Sequence, residues 1–145
     1  MTLENILILS FLLVIVQISI PVIIDLLITN KIKFIYLFSS RDNDQDTSQF
    51  FGRANRALRN LFETLPIFIG LVLISIIKEV DNSSLALLWL VSRTIYIPLY
   101  ILGINYLRTG VWAVALICLI MMLSLIHIWR CRRIERCRSR WSPYH

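Results

Sequence analysis

The chain has 145 residues, 57% of them hydrophobic, and a mean hydropathy of +0.72. A water-soluble domain holds roughly 45–50% apolar residues; the excess here lies in four long runs, which excludes a soluble globular fold and points to a small polytopic membrane protein. The formal charge of +6 does not indicate nucleic acid: six of the fifteen basic residues crowd into the last 16 positions, and no nucleic-acid-binding motif accompanies them.

The first apolar run, residues 6–24, follows Glu4 rather than lysine or arginine and has no small-x-small site after it. It is also too long for a cleaved signal peptide, so it reads as a membrane anchor. Pro21 lies one turn before Asp25 at the end of this run. The connection that follows, residues 29–52, is the longest and most polar, and its RDNDQDTSQ segment (41–49) has strong turn character. The second run, 61–77, is entered through RANRALRNLFETLP (53–66). A short connection, 78–84, leads into the third run, 85–107; a tight one, 103–110, carries Arg108 into the fourth, 109–128. Each run approaches or exceeds the ~17–25 residues that cross a bilayer. Short connections make successive helices antiparallel neighbours, so the expected fold is all-α, a transmembrane four-helix up-down bundle.

From about Ile126 the composition changes abruptly to Arg, Cys and Trp without helical periodicity. This divides the chain into a membrane domain, 1–125, and a basic tail, 126–145. The tail reads as a translated sequencing adapter or frameshift, the alternative being a juxtamembrane segment that binds anionic lipid. His127 and His145 fall within it and carry no function. The spacing of Cys118, Cys131 and Cys137 fits neither a zinc site nor a redox pair, and no metal site is expected.

Orientation follows from the lysines and arginines near the span ends. The first and third connections hold seven (Lys31, Lys33, Arg41, Arg53, Arg56, Arg59 and Arg108), against Lys78 alone on the opposite side, the tail left aside. The first and third connections are therefore expected in the cytoplasm and the N-terminus outside.

Arg56, Asn60 and Glu63 recur at i, i+4, i+7 and share one helix face; Arg93, Tyr96 and Tyr100 do the same on the third helix. Ionised groups facing lipid cost at least ~2.5 kcal/mol each, so these faces are expected to turn inward near the cytoplasmic end of the bundle, with Arg108 beside them. Arg93 lies deepest, and Glu63 or Asp25 is its expected counter-ion. Pro66 and Pro98 free the carbonyls of Phe62 and Thr94 close by, a defect tolerated in a membrane where neighbouring helices or water satisfy the freed groups.

Chemically the set suits a small, anionic, peptide-like ligand. Arginines offer planar forks for carboxylates, Asn60 donates and accepts, and Glu63 can hold an ammonium group. With no Ser, Cys or His triad, any catalysis acts through electrostatics and positioning. A structural reading stands beside this one, since buried Arg–Glu pairs can simply neutralise each other and fix helix register. Tyr96, Tyr100, Trp89 and Trp112 could equally be membrane-interface anchors.

The R-x-x-x-N-x-x-E-x-x-P spacing of 53–66, followed by SRTIYIPLYILGINYLRTGVWA (92–113), resembles the MAPEG family, the membrane-associated proteins of eicosanoid and glutathione metabolism, with bacterial members looking closest. The resemblance covers about residues 6–125. It implies a homotrimer of four-helix bundles with glutathione bound between neighbouring subunits near the cytoplasmic side. By motif position Arg56, Asn60, Glu63, Arg93, Tyr96 and Tyr100 match the family's glutathione-contacting residues. Arg108 resembles the catalytic arginine that stabilises the thiolate, one residue further from Tyr100 than in the leukotriene-forming members. Thr64 stands where several mammalian members have tyrosine.

The function so implied is a transferase or peroxidase in the bacterial inner membrane, with glutathione as co-substrate. Its other substrate would be a lipophilic small-molecule electrophile arriving through the bilayer. Two alternatives differ in class: a non-catalytic protein of the same fold that uses the polar face for oligomerisation, and a small transporter built on Asp25, Glu63 and Arg93.

Overall fold

The computed structural model describes residues 1–29 and 49–139, with side chains described over 1–24 and 49–128. Most of the first connection, including Lys31, Lys33 and Arg41, lies outside the described residues, as does the side chain of Asp25. Four helices follow in order: α1 (Leu3–Thr29), α2 (Gln49–Lys78), α3 (Ser83–Leu102) and α4 (Asn105–Ser139). Each contains a stretch long and apolar enough to cross a membrane: Leu3–Ile24, Gln49–Lys78, Ser83–Leu102 and Asn105–Ile128. The architecture is the expected transmembrane up-down bundle.

Three boundaries differ from the sequence expectation, each for a physical reason. Helix α2 begins twelve residues ahead of its apolar run. The Arg-, Ala- and Leu-rich entry has high helix propensity, and Ala54, Ala57 and Leu61 continue the buried stripe formed by Leu65, Phe68, Val72 and Ser75. At 1.5 Å per residue α2 is about 45 Å long, so about a third of it extends beyond a ~30 Å hydrocarbon core.

The third connection shrinks to Gly103 and Ile104, which places Arg108 inside the first turns of α4. Gly103 adopts φ +80°; its N–H reaches the carbonyls of Leu99 and Tyr100, and the Ile104 N–H also reaches Leu99. This is a Schellman closure, in which glycine takes the left-handed position without a Cβ penalty. Helix α4, for its part, runs on through Ile126 to Ser139, as a stretch with neither proline nor glycine permits.

Helices α2 and α3 form the central diagonal of the bundle. Helix α1 packs on both of them from one side and α4 from the other, while α1 and α4 do not pack on each other among the described residues. The core gathers Leu61, Leu65, Phe68, Trp89, Cys118 and Met122, with Ile6 arriving from α1. Phe68 and Trp89 stack face to face across the diagonal, ring centroids 3.8 Å apart and planes 8° from parallel. Trp89 is fully buried and Tyr96 nearly so, so neither is a membrane-interface anchor. The outward positions are mostly apolar, as Ile8, Phe11 and Leu12 on α1 and Ile117, Ile120 and Leu123 on α4 illustrate. With apolar residues on both sides, small ones (Ala54, Ala57, Ala86, Ala115) mark the interior by letting the helices approach.

The far end of the diagonal is tied by polar bonds. Asn82 Nδ2 donates to Ser75 Oγ at 2.8 Å, and Ser75 Oγ donates to the Leu71 carbonyl at 2.8 Å. In the turn itself Asp81 accepts from the hydroxyl of Ser83 at 2.6 Å and from its N–H at 3.1 Å, which holds the carboxyl below the usual carboxylate range.

Removing the central ring tests this packing. Trp89→Ala is expected to lower the unfolding free energy in detergent by roughly 3–5 kcal/mol, because the cavity forfeits dispersion contacts with Phe68. The comparable truncation of lipid-facing Leu88 should leave unfolding unchanged.

Candidate functional site

The inward stripe of α3 runs Ala86, Trp89, Leu90, Arg93, Tyr96 and Ile97, the i, i+3, i+4, i+7 pattern of a buried helix face. That register carries Arg93 into the interior, where it is 2% exposed. A guanidinium stays protonated and only donates. Arg93 Nη1 donates to Asn60 Oδ1 at 2.7 Å and Nη2 to Thr64 Oγ at 2.7 Å. The rings of Trp89 and Tyr96 lie 5.6 and 5.7 Å from its central carbon, within cation–π range. Thr64 in turn donates back along its own helix to the Leu61 carbonyl, 3.2 Å away.

Among the described side chains, neutral dipoles rather than a carboxylate hold the buried charge. Of the two expected counter-ions, the side chain of Asp25 lies outside the described residues, and Glu63 pairs instead with Arg59 at 3.7 Å, with the two side chains 60% and 84% exposed. Helical phase explains the correction. At about 100° per residue, Thr64 lies roughly 50° and Asn60 roughly 90° from the centre of α2's buried stripe, while Arg56, Arg59 and Glu63 lie roughly 130–170° away. The shared face of Arg56, Asn60 and Glu63 exists, but the apolar stripe claims the opposite side, and of the three Asn60 alone stands near enough to its edge to reach Arg93.

Asn60, Tyr96, Tyr100 and Arg108 line one open pocket of about 240 Å³, together with Thr109 and Trp112. Four of the seven expected site residues thus meet. Arg93 stands behind Asn60 rather than on the wall, and Arg56 and Glu63 are exposed on the outer face of α2. The tyrosines lie one turn apart on α3 with ring centroids 5.4 Å apart, and the Arg108 guanidinium sits 4.7 Å above the Tyr100 ring. Arg108, Thr109 and Trp112 form the α4 wall. The i+4 spacing of Trp112 from Arg108 was the available signal for its place here. Thr64, likewise i+4 from Asn60, was legible as a neighbour but not as a hydrogen-bond acceptor for Arg93.

The pocket's chemistry follows from the charge behind it. Because Arg93 can only donate, the Asn60 amide must turn its oxygen toward it, leaving Nδ2–H₂ for the pocket. Asn60 Nδ2, the indole N–H of Trp112 and the Arg108 guanidinium only donate, the hydroxyls of Tyr96, Tyr100 and Thr109 donate or accept, and no carboxylate stands among the described residues of this wall. Such a surface selects an anion or a ligand rich in carboxylate and carbonyl oxygens. It would also favour the ionised form of a thiol placed beside Arg108.

The model of one family, MAPEG, matches residues 3–128, a span that contains the four membrane-crossing stretches and every residue of the pocket. No curated protein and no solved structure matches the chain.

The Arg93 network separates two substitutions that helical spacing alone would rank together. Asn60→Leu leaves a buried charged donor without its acceptor and is expected to cost about 2–3 kcal/mol in detergent denaturation. Glu63→Gln removes a solvent-screened pair and should leave the same curve in place. The reverse order would mean that Glu63 carries the counter-charge.

Proposed function

The chain belongs to the MAPEG family, and on that premise we propose that it is a glutathione-dependent membrane enzyme, a transferase or peroxidase of lipophilic electrophiles. The observation that carries this reading is the donor-rich pocket, in which Arg108 is the cation on the wall and Asn60, its oxygen held by Arg93, has its N–H groups free for a ligand. In this reading Asn60, Tyr96 and Tyr100 bind carboxylate and peptide oxygens of the tripeptide. Arg108 stabilises the thiolate, the form that attacks an electrophilic carbon as a sulfur–carbon bond forms and the leaving group departs. Arg93 acts one step back, by fixing Asn60.

Pocket volume supports an assembly. Ligand pockets commonly span ~300–1,000 Å³, and the cavity of about 240 Å³ in one chain falls short of that range. Arg56 and Glu63 lie exposed on the outer face of α2, an expensive place for charge beside lipid. A neighbouring subunit in a homotrimer would cover them and enlarge the site, with Arg56 available to a second carboxylate and Glu63 to the ligand's ammonium group. The excess of lysine and arginine around the first and third connections supports a pocket opening toward the cytoplasm, an N-terminus outside and, in a bacterial host, an inner-membrane location.

The same exposed charges favour a second reading, in which the polar face of α2 serves assembly alone and the protein is not an enzyme. Calorimetric titration of glutathione into the full-length protein, paired with sizing of variants, distinguishes the two. The enzyme reading expects saturable binding, and an ultraviolet thiolate absorbance that Arg108→Ala reduces at least tenfold. It also expects Arg56→Ala to weaken binding about tenfold, roughly 1.4 kcal/mol, without dissociating the oligomer. No binding at millimolar glutathione, with Arg56→Ala dissolving the oligomer, would leave assembly as the role of this face.

A further inference from the structure

Arg53, one of the basic residues near a span end, makes a specific contact across the bundle. It lies on the part of α2 that runs past the apolar stretch, one turn after Phe50, whose ring centroid is 5.9 Å from its guanidinium carbon. Arg53 Nη1 donates at 3.2 Å to the carbonyl of Ile101, one of the last carbonyls of α3. Those carbonyls have no partner within their own helix, and the negative end of the helix dipole attracts a cation there.

The rest of the guanidinium lies against the backbone of Gly103. A Cβ built on that glycine would stand 2.8 Å from Nη1, 3.1 Å from Cζ and 3.3 Å from Nη2 of Arg53. Glycine is favoured at this turn by its φ of +80°, and a Cβ there would displace the flat cation that rests on it. The turn that Arg53 covers also orients the pocket. Tyr100 belongs to the last turn of α3, and the Arg108 N–H closes the first turn of α4 on the Ile104 carbonyl at 3.2 Å. The angle between the two helices at Gly103 and Ile104 decides whether the Arg108 guanidinium meets the Tyr100 ring.

We infer that Arg53 is a positioning residue: by bonding the Ile101 carbonyl and filling the space over Gly103, it holds the α3–α4 corner at the angle that sets Arg108 above Tyr100. The catalytic consequence of this arrangement rests on the glutathione reading above; the geometric claim does not. Lysine keeps the charge and one donor at this site but not the planar fork, methionine keeps length alone, and glutamine keeps a donor without charge.

The test uses the full chain in detergent with ¹⁵N-labelled arginine, the Arg108 side-chain Nε–H signal being assigned by its loss in Arg108→Lys. Above the Tyr100 ring this signal is displaced by the ring current. Arg53→Met is expected to abolish at least half of that displacement, Arg53→Lys to retain most of it, and Arg53→Gln to fall between them. A displacement unchanged in folded Arg53→Met overturns the inference. If that variant does not fold, an unchanged displacement in Arg53→Gln overturns it equally.

A second arm reads the thiolate absorbance of bound glutathione at neutral pH. Arg53→Met is expected to lower it at least threefold while affinity stays within threefold, and Arg53→Lys to restore it. Thiolate absorbance undiminished in Arg53→Met would likewise count against the inference. Absence of glutathione binding to the unaltered protein would overturn the functional reading instead, leaving the Arg108 signal to decide the role of Arg53.

Discussion

A permanently charged guanidinium buried inside a membrane bundle is the constraint around which this protein is arranged. Placing arginine at the centre of a membrane helix costs about 2.5–3.5 kcal/mol on insertion scales. Hydrogen bonds to a charged group return roughly 1.5–3 kcal/mol each, so the two that Arg93 makes to Asn60 and Thr64 work against that cost, while its buried Nε has no hydrogen-bond partner among the described residues. A carboxylate in their place would have neutralised the site. Neutral acceptors leave the positive field intact and turn the Asn60 amide so that its N–H groups are left for the pocket. The pocket inherits its preference for anions from a residue that does not line it.

Reaching those acceptors requires α2 and α3 to be held in one register, and the structure secures it at three heights. The Ser75–Asn82 hydrogen bond ties the helices at one end, the Phe68–Trp89 stack fills the middle, and Arg53 meets the last turn of α3 at the other end. Counted from the first tie, Asn60 lies roughly 22 Å back along α2 and the Arg93 backbone roughly 16 Å along α3. The long arginine side chain spans the difference. In lipid, where apolar surface on both sides of a helix removes much of the hydrophobic drive, such polar ties and close small-residue contacts carry most of the specificity.

The membrane thus explains both the surface and the site. Among the described residues, helices α1 and α4 flank the diagonal without packing on each other and present mostly apolar side chains outward, while Arg56, Arg59 and Glu63 stand exposed on the entry to α2. Burying those charges is a matter for partners, whether another copy of the chain, the headgroup region or a ligand. The pocket, by contrast, is assembled within one chain from three helices.

Much of this was legible in the residues themselves. Apolar length dictated four spans, because a bilayer demands about twenty residues whatever their order, and short connections dictated antiparallel neighbours. The i, i+3, i+7 spacing of Arg93, Tyr96 and Tyr100 placed them correctly on one face, and their depth relative to Asn60 followed from antiparallel geometry. Spacing could not tell which side of α2 the core would claim, since both sides of a polar helix entry satisfy the same periodicity. Packing decided that, turning Glu63 and Arg56 outward and leaving Thr64 to accept from Arg93. The same holds for Arg53 and Gly103: a glycine and a distant arginine carry no pairwise signal along the chain, and only the folded corner, where an unpaired helix carbonyl and a missing Cβ leave room for a flat cation, makes them partners.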